Sequence, residues 1–189
     1  MNEARPAVDI FLVRHAEAAA SYECASDPGL SALGVEQARA AARDLQARVG
    51  SGTRLLSSPL ARARDTAAPL AAVLGTPVRV DEAFREIPSP VPLVQRKRWL
   101  RQFMRQDWRD QPPDLCQWRD SAWQRLLQLC EPAVVYTHFL LINAVVGRLL
   151  GRSETLCFWP DNASITHLRH TGTRLELVAL GQEMRTAVN

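Results

Sequence analysis

The sequence predicts an α/β fold in which helices cover both faces of a mostly parallel central sheet that has an antiparallel edge. Two apolar runs, residues 10–13 and 133–137, have the composition of strands buried on both faces. Helical patterns repeatedly follow such runs, and this alternation is typical of a three-layer α/β/α sandwich. The length of 189 residues suits one domain spanning residues 1–189.

Apolar periodicity, and the residues that interrupt it, predict the individual elements. Gly50 ends the first helix, Pro59 suits the first turn of the second, and Gly75 ends that second helix. Gly151 closes the apolar helix after the fourth strand, and Thr171-Gly172 separates two runs expected to pair as the antiparallel edge. The predicted strands are 10–13, 53–57, 78–80, 133–137, 163–168 and 174–180, and the predicted helices are 31–49, 60–74, 93–108, 115–129 and 140–150.

The composition shifts at about residues 88–131, which we expect to form a helical insertion that caps the functional site. Prolines punctuate its start, and Pro112-Pro113 separates its two helices. Its tryptophans and arginines also allow an interpretation as a surface for single-stranded nucleic acid. Interleaved acidic residues weaken that interpretation, and tryptophans at near-helical spacing more often pack a cap onto the core.

Bulk composition argues against several classes of protein. The chain is 47% hydrophobic and 23% charged, as in folded soluble proteins. No apolar run approaches the roughly 20 residues that span a bilayer, and the start lacks a signal-peptide pattern, so we expect a cytoplasmic protein without a membrane partner. The four cysteines have no zinc or disulfide spacing. Every cationic side chain except Lys97 is an arginine, which suits phosphate recognition.

Two histidines stand where apolar strands end. Arg14-His15 closes the first strand, and His138 closes the fourth. Ligands of open α/β sheets gather at the carboxyl ends of the strands. A neutral imidazole is a competent nucleophile, and an arginine beside it suits attack on phosphorus. Arg62, at a strand-to-helix junction, offers a second guanidinium for the non-bridging oxygens of a phosphoryl group.

Five short motifs, in order, resemble the phosphoglycerate mutase-like histidine phosphatase family, a short phosphatase branch of the histidine acid phosphatase superfamily. Arg14-His15-Ala16-Glu17 is similar to that family's signature. The other four matches are Leu30-Ser31-Ala32-Leu33-Gly34 with Gln37-Ala38, Ser58-Pro59-Leu60 to Arg62-Ala63 with Thr66-Ala67, Thr137-His138, and Asn162-Ala163-Ser164-Ile165. The resemblance covers the chain from residue 10 to about residue 180, apart from the insertion.

The resemblance implies a phosphatase that hydrolyses a phosphate monoester of a small metabolite. His15 is then the nucleophile that becomes a phosphohistidine. Arg14, Arg62 and His138 form the phosphate-binding cluster, and His138 also belongs to the catalytic set. The resemblance implies neither a cofactor nor a metal, and it implies a small phosphorylated substrate as the partner rather than nucleic acid.

The resemblance places an acidic proton donor after the third strand. Glu86 is the best match, and Asp81 and Glu82 are its rivals. Where family members often carry Thr and Asn after the first motif, this chain has Ala18 and Ser21. A contact to phosphate is expected to be lost at Ala18, whereas the Ser21 hydroxyl is expected to donate to the phosphate.

Phe139 departs from the small residue that commonly follows the second histidine of the family. This departure leaves open a non-catalytic phospho-ligand sensor, and a protein phosphohistidine phosphatase is a further alternative. The insertion is expected to supply an aromatic and cationic wall, through Trp99 and Arg98, for the organic part of the substrate. The sequence does not indicate an oligomeric state.

Overall fold

The computed structural model describes residues 6–20 and 27–184. Short 3₁₀ turns at Glu82–Phe84 and Trp108–Asp110 accompany six strands and five helices. In chain order the regular elements are β1 (Val8–Arg14), α1 (Ala32–Gln46), β2 (Arg54–Ser57), α2 (Ala61–Leu74), β3 (Val78–Val80), α3 (Leu93–Phe103), α4 (Pro113–Leu127), β4 (Ala133–Thr137), α5 (Phe139–Leu149), β5 (Ile165–His170) and β6 (Leu175–Ala179).

The strands form one sheet in the order β3-β2-β4-β1-β5-β6. Strands β3, β2, β4 and β1 run parallel, whereas β5 is antiparallel to β1 and β6 is antiparallel to β5. This topology confirms the predicted mostly parallel sheet with an antiparallel edge. The register sets Arg14 opposite Thr137 and Ser57 opposite Tyr136, so the carboxyl ends of β1, β4 and β2 are level at one rim.

Alternation along β1 divides the core into two apolar layers. Ile10 and Leu12 pack with residues of α4 and α5 on one face of the sheet. Phe11 and Val13 pack with residues of α1 and α2 on the other face. Each such buried side chain contributes about 1.5–3 kcal/mol of transfer free energy. The predicted three-layer sandwich is therefore confirmed, and within the described ranges no helix is both long and apolar enough to cross a membrane.

The first helix of the predicted insertion is shorter than expected, since α3 ends at Phe103 rather than at residue 108. The backbone beyond it bonds to a distant loop instead of continuing the helix. The Trp108 amide donates to the Ser153 carbonyl at 2.8 Å, and the Thr155 amide donates to the Gln106 carbonyl at 2.9 Å. These tertiary hydrogen bonds outweigh the helical propensity of residues 104–108.

The two helices of this segment occupy different places in the fold. Helix α4 packs against α5, where Arg148 pairs with Asp120 at 2.9 Å and covers the ring of Trp123. It thus belongs to one outer layer of the sandwich. Helix α3 lies at the rim where β1, β4 and β2 end, and lines the pockets there.

Candidate functional site

The candidate site begins where β1 and β4 end side by side. The His15 amide donates to the Thr137 carbonyl at 2.9 Å, so the parallel pairing continues one residue beyond β1. On the other side, the Arg14 amide donates to the Ser164 carbonyl at 3.1 Å. Ala163, which precedes Ser164, adopts a left-handed conformation with φ of 57°, a strained geometry that recurs at functional sites. The backbone of the Arg14-His15 pair is therefore fixed on both sides.

His15 is held as a neutral imidazole with one defined tautomer. Its Nδ1 lies 2.8 Å from the Ala16 carbonyl, and because a carbonyl only accepts, Nδ1 carries the hydrogen. Nε2 keeps its lone pair, is buried, and makes no hydrogen bond within residues 6–20 and 27–184. Burial, with the guanidinium groups of Arg62 and Arg14, lowers the pKa of His15 to about 3.

His138 and Arg62 lie directly beside His15. The rings of His15 and His138 are 5.3 Å apart. Arg62, 1% exposed, places Nη2 3.3 Å from Nδ1 of His138. A guanidinium only donates, so Nδ1 accepts and the Nε2–H of His138 donates to the Ser58 hydroxyl oxygen at 2.7 Å. Burial and the surrounding positive charge hold the pKa of His138 well below its ordinary value.

Thr66 connects the second arginine motif to the first. Its hydroxyl accepts from the Ala16 amide at 2.9 Å and donates to the Arg62 carbonyl at 2.6 Å. Asp27 accepts from the Ala61 amide at 2.8 Å, beside Arg62 at the start of α2. The sequence places Thr66 in a motif but gives it no function, because its link to Ala16 is a tertiary contact.

Arg14 and Phe139 are in contact at the rim. The Nη1 group of Arg14 donates to the Pro160 carbonyl at 2.8 Å, and the guanidinium lies 5.2 Å from the centroid of the Phe139 ring. Phe139 is the first residue of α5 and adopts helical geometry directly after His138. The bulky side chain is therefore compatible with the backbone at this position. The predicted phosphate ligand Ser21 lies outside the described residues.

Glu86 is the acidic candidate that lies among the arginines. Its side chain is buried, and Oε1 accepts from the Ile87 amide at 3.0 Å. Burial raises its pKa, against the opposing effects of that amide and of Arg62, Arg96 and Arg14. The two rival candidates for the proton donor make ion pairs outside this cluster of arginines. Asp81 pairs with Arg125 at 2.6 Å, and Glu82 is an exposed partner of Arg85.

Arg96 is a residue of the site that sequence reasoning missed. Its Nη2 donates to the Ile87 carbonyl at 3.2 Å, and its charge acts on both Glu86 and His138. The predicted wall residue Trp99 instead packs on Phe103, with 5.4 Å between the rings. Arg98, the other predicted wall residue, lines neither pocket at the rim. Leu93, Arg96 and Leu100 lie on one face of α3 and, with Met104 just beyond the helix, line the rim pockets. No signal in the sequence shows that this face, rather than the face with Trp99, meets the site.

Two pockets meet at Glu86 and Arg96. One, of about 310 Å³, also includes Arg62. The other, of about 200 Å³, also includes Arg14. Positive charge at this rim is supplied by arginine. The described part of the chain has no group of three or more His, Cys, Asp or Glu side chains placed to hold a metal ion.

Comparisons with known proteins point to one family. The model of the histidine phosphatase superfamily (branch 1) matches residues 10–183. The structure of a mycobacterial glucosyl-3-phosphoglycerate phosphatase with inorganic phosphate superposes with a TM-score of 0.71 at 25% identity, covering 93% of this chain and 98% of that one. A phosphoserine phosphatase from Entamoeba histolytica shares the fold, with a TM-score of 0.73 at 22% identity, covering 94% of this chain and 98% of that one. The search of curated proteins found no match.

Proposed function

This chain belongs to the histidine phosphatase superfamily (branch 1), and from that premise we propose that it hydrolyses phosphate monoesters of small metabolites through a phosphohistidine on His15, without a metal. The observation that carries the proposal is the state of Nε2. That atom is buried, keeps its lone pair, and lies in the field of Arg62 and Arg14. An imidazole in this state is a nucleophile that needs no prior deprotonation, placed where an anionic substrate is attracted.

In the first step, Nε2 of His15 attacks phosphorus while the bond to the leaving alcohol oxygen breaks. Protonated Glu86 donates its proton to that oxygen, and burial, which raises the pKa of Glu86, favours this protonated form. Arg14 and Arg62 stabilise the charge on the non-bridging oxygens, as metal ions do in other phosphoryl-transfer enzymes. His138 contributes by holding Arg62 and by donating a hydrogen bond to phosphate in place of Ser58.

In the second step, water replaces the alcohol. The Glu86 carboxylate takes a proton from water as the water oxygen attacks phosphorus, and the phosphorus–nitrogen bond breaks. Its electron pair returns to Nε2, so His15 is again neutral and Glu86 is again protonated. The hydrogen bond from Nδ1 to the Ala16 carbonyl keeps the tautomer unchanged throughout the cycle.

Substitution of His15 tests this proposal. We expect His15→Ala to abolish release of p-nitrophenol from p-nitrophenyl phosphate and to abolish acid-labile phosphate labelling of the protein. His167→Gln is the matched control, because that imidazole pairs with Asp9 and stacks on Phe11, away from the rim. EDTA is expected to leave turnover unchanged. Wild-type protein that binds phosphate without turnover would contradict the proposal and indicate a phospho-ligand sensor.

A further inference from the structure

The smaller of the two rim pockets has a composition of its own, and we call it the aromatic pocket. Three of its lining residues are charged, namely Arg14, Glu86 and Arg96. The rest of its lining is apolar and consists of Leu100, Met104, Phe139, Leu140, Trp159 and Met184. Because Glu86, the proposed proton donor to the leaving alcohol, lines this pocket, the pocket is within reach of the organic part of a substrate.

Two aromatic rings form a corner of the aromatic pocket. Phe139 and Trp159 lie 5.4 Å apart with an angle of 57° between their planes. The Trp159 side chain is 48% exposed, a large apolar surface for a residue beside a site. A third ring added to such a corner finds edge and face contacts at once, which is the arrangement that aromatic groups prefer.

The backbone holds this corner in place. The Met184 amide donates to the Trp159 carbonyl at 2.8 Å, and the Asp161 amide donates to the Gln182 carbonyl at 2.7 Å. Arg14 donates to the carbonyl of Pro160, the residue after Trp159, and also covers the ring of Phe139. The proposed phosphate-binding Arg14 and the aromatic corner are therefore joined by direct contacts, which set the position of the corner relative to Arg14.

Two of the three charged lining residues already have a role in the proposed function, since Arg14 binds the phosphoryl group and Glu86 protonates the leaving oxygen. Arg14 donates to the Pro160 carbonyl, Arg96 donates to the Ile87 carbonyl, and Glu86 accepts from the Ile87 amide. Beyond them, the described lining of the aromatic pocket offers no charged side chain to a substrate. A sugar or carboxylate that extended past these three residues would lose its hydration against the apolar part of the lining, which is unfavourable.

We propose that the preferred substrate is a phosphate monoester whose alcohol carries an apolar ring, and that Phe139 and Trp159 bind that ring. Apolar cavities of about 150 Å³ accept a benzene ring, so the pocket of about 200 Å³ has room for one substituted ring. This inference rests on the proposed function and names the substrate class of that same site. It differs from glucosyl-3-phosphoglycerate and phosphoserine, the compounds after which two of the similar phosphatases are named.

Three substrates with similar primary-alcohol leaving groups test the proposal: 2-phenylethyl phosphate, propyl phosphate and phosphoserine. Matching the leaving groups separates ring binding from intrinsic reactivity. We expect kcat/KM for 2-phenylethyl phosphate to exceed that for the other two by about tenfold or more, mainly through KM, because a buried ring contributes its transfer free energy. Equal values, or a preference for phosphoserine, would overturn the proposal.

Substitution of Trp159 in the aromatic corner is the second test of ring binding. Trp159→Ala is expected to remove most of the preference for 2-phenylethyl phosphate over propyl phosphate, because kcat/KM falls further for the substrate that carries the ring. Trp123→Ala is the matched control, since Trp123 packs under Arg148 between α4 and α5. An equal loss on both substrates in Trp159→Ala would mean that Trp159 acts on the site as a whole, and would contradict ring binding.

The two proposals fail in different ways. If wild-type protein hydrolyses none of the three substrates nor p-nitrophenyl phosphate, the proposed function fails and the substrate class fails with it. If hydrolysis depends on His15 but shows no preference for the ring, the phosphatase proposal stands and the aromatic pocket is not the determinant of specificity.

Discussion

Burial lowers the pKa of both His15 and His138, so the fold keeps both imidazoles neutral. Their ring nitrogens make different hydrogen bonds. Nδ1 of His15 donates to a backbone carbonyl, and Nε2 keeps its lone pair without a hydrogen bond among the described residues. His138 has both ring nitrogens engaged, by Arg62 and by Ser58. The two imidazoles thus differ in that Nε2 of His15 keeps a lone pair, whereas Nε2 of His138 donates a hydrogen bond.

At this residue scale, Glu86→Gln separates the two chemical steps. An amide cannot protonate the leaving alcohol, so we expect kcat for an alkyl phosphate to fall by about 10²-fold or more. With p-nitrophenyl phosphate, whose leaving group needs no proton, a burst followed by slow turnover is expected in rapid-quench experiments, because water is no longer activated. Glu82→Gln is the control, since that exposed side chain pairs with Arg85. An unchanged alkyl-phosphate kcat would exclude Glu86 as the acid.

The pH dependence of kcat follows from the direction in which burial shifts the pKa of Glu86. Burial raises the pKa of Glu86, so its protonated form persists to higher pH than for an ordinary glutamate. Wild-type kcat is expected to decline as pH rises through that raised pKa, and this alkaline limb should be absent in Glu86→Gln. A limb that persists in the variant would assign the titration to another group.

Individual residues of the site differ in how far the sequence predicts them. His15 and His138 are predictable because each directly follows an apolar strand, and parallel strands end at a common rim. Arg96 is not, because its helix meets Glu86 only through tertiary packing. Trp99 was expected to line the site, but its neighbour Leu100 does so instead. A helix rotated by one residue presents a different face, and the composition of α3 does not define that rotation.

At the scale of elements, the start of α1 holds the segment that follows His15. The Ser31 hydroxyl accepts from the Gly34 amide at 2.9 Å as the N-cap, and donates to the Glu17 carboxylate at 2.7 Å. The Gln37 side chain accepts from the Glu17 amide at 2.9 Å. The start of this helix thus binds the chain two residues after His15, which explains why the two motifs occur together in the sequence.

Gly34→Ala tests this contact between elements. An added Cβ would collide with the Glu17 backbone carbonyl, which cannot move without displacing the segment that follows His15. We expect a loss of about 1–3 kcal/mol in the free energy of unfolding, measured in urea, together with reduced kcat/KM. Gly50→Ala, where a Cβ meets nothing within 4 Å, is the control, expected to stay within about 0.5 kcal/mol of wild type. Equal stability of the two variants would show that the helix shifts freely.

Most elements were predictable within a few residues, because apolar periodicity and glycine or proline stops are local signals. The two helices of the segment 88–131 show where such signals fail. Their existence is evident from the sequence, but their positions are not, since α4 joins the layer of α5 while α3 lies at the rim. The end of α3 is set by hydrogen bonds to residues 153–155, which no local pattern reveals.

At the scale of the whole molecule, the buried histidines link stability to pH. The pKa of His15 falls from 6.5 to about 3 on folding, so the unfolded chain binds the extra proton between those values. Stability from this group is therefore complete above pH 6.5 and is lost as pH falls towards 3. His138 acts in the same direction. Glu86 acts oppositely, since its raised pKa gives stability at low pH that is lost as pH rises through the folded value.

We therefore expect the free energy of unfolding to decrease as the pH is lowered from about 7 to about 5, by up to about 1.4 kcal/mol per pH unit for each buried histidine. Urea titrations across this range measure the slope. His15→Ala should reduce the slope even if its stability at neutral pH differs little from wild type. A variant slope equal to that of the wild type would show that His15 does not titrate between the two states.

The order of the strands in the sheet determines when β1 can pair during synthesis. Strand β1 leaves the ribosome before its neighbours, yet it pairs with β4 through Ile10 and Ala133 and with β5 through Val8 and His170. The nascent chain therefore carries an apolar, unpaired strand until the second half has emerged. His15 is therefore translated early, whereas Thr137 and His138, which lie beside it in the fold, follow only in the second half of the chain.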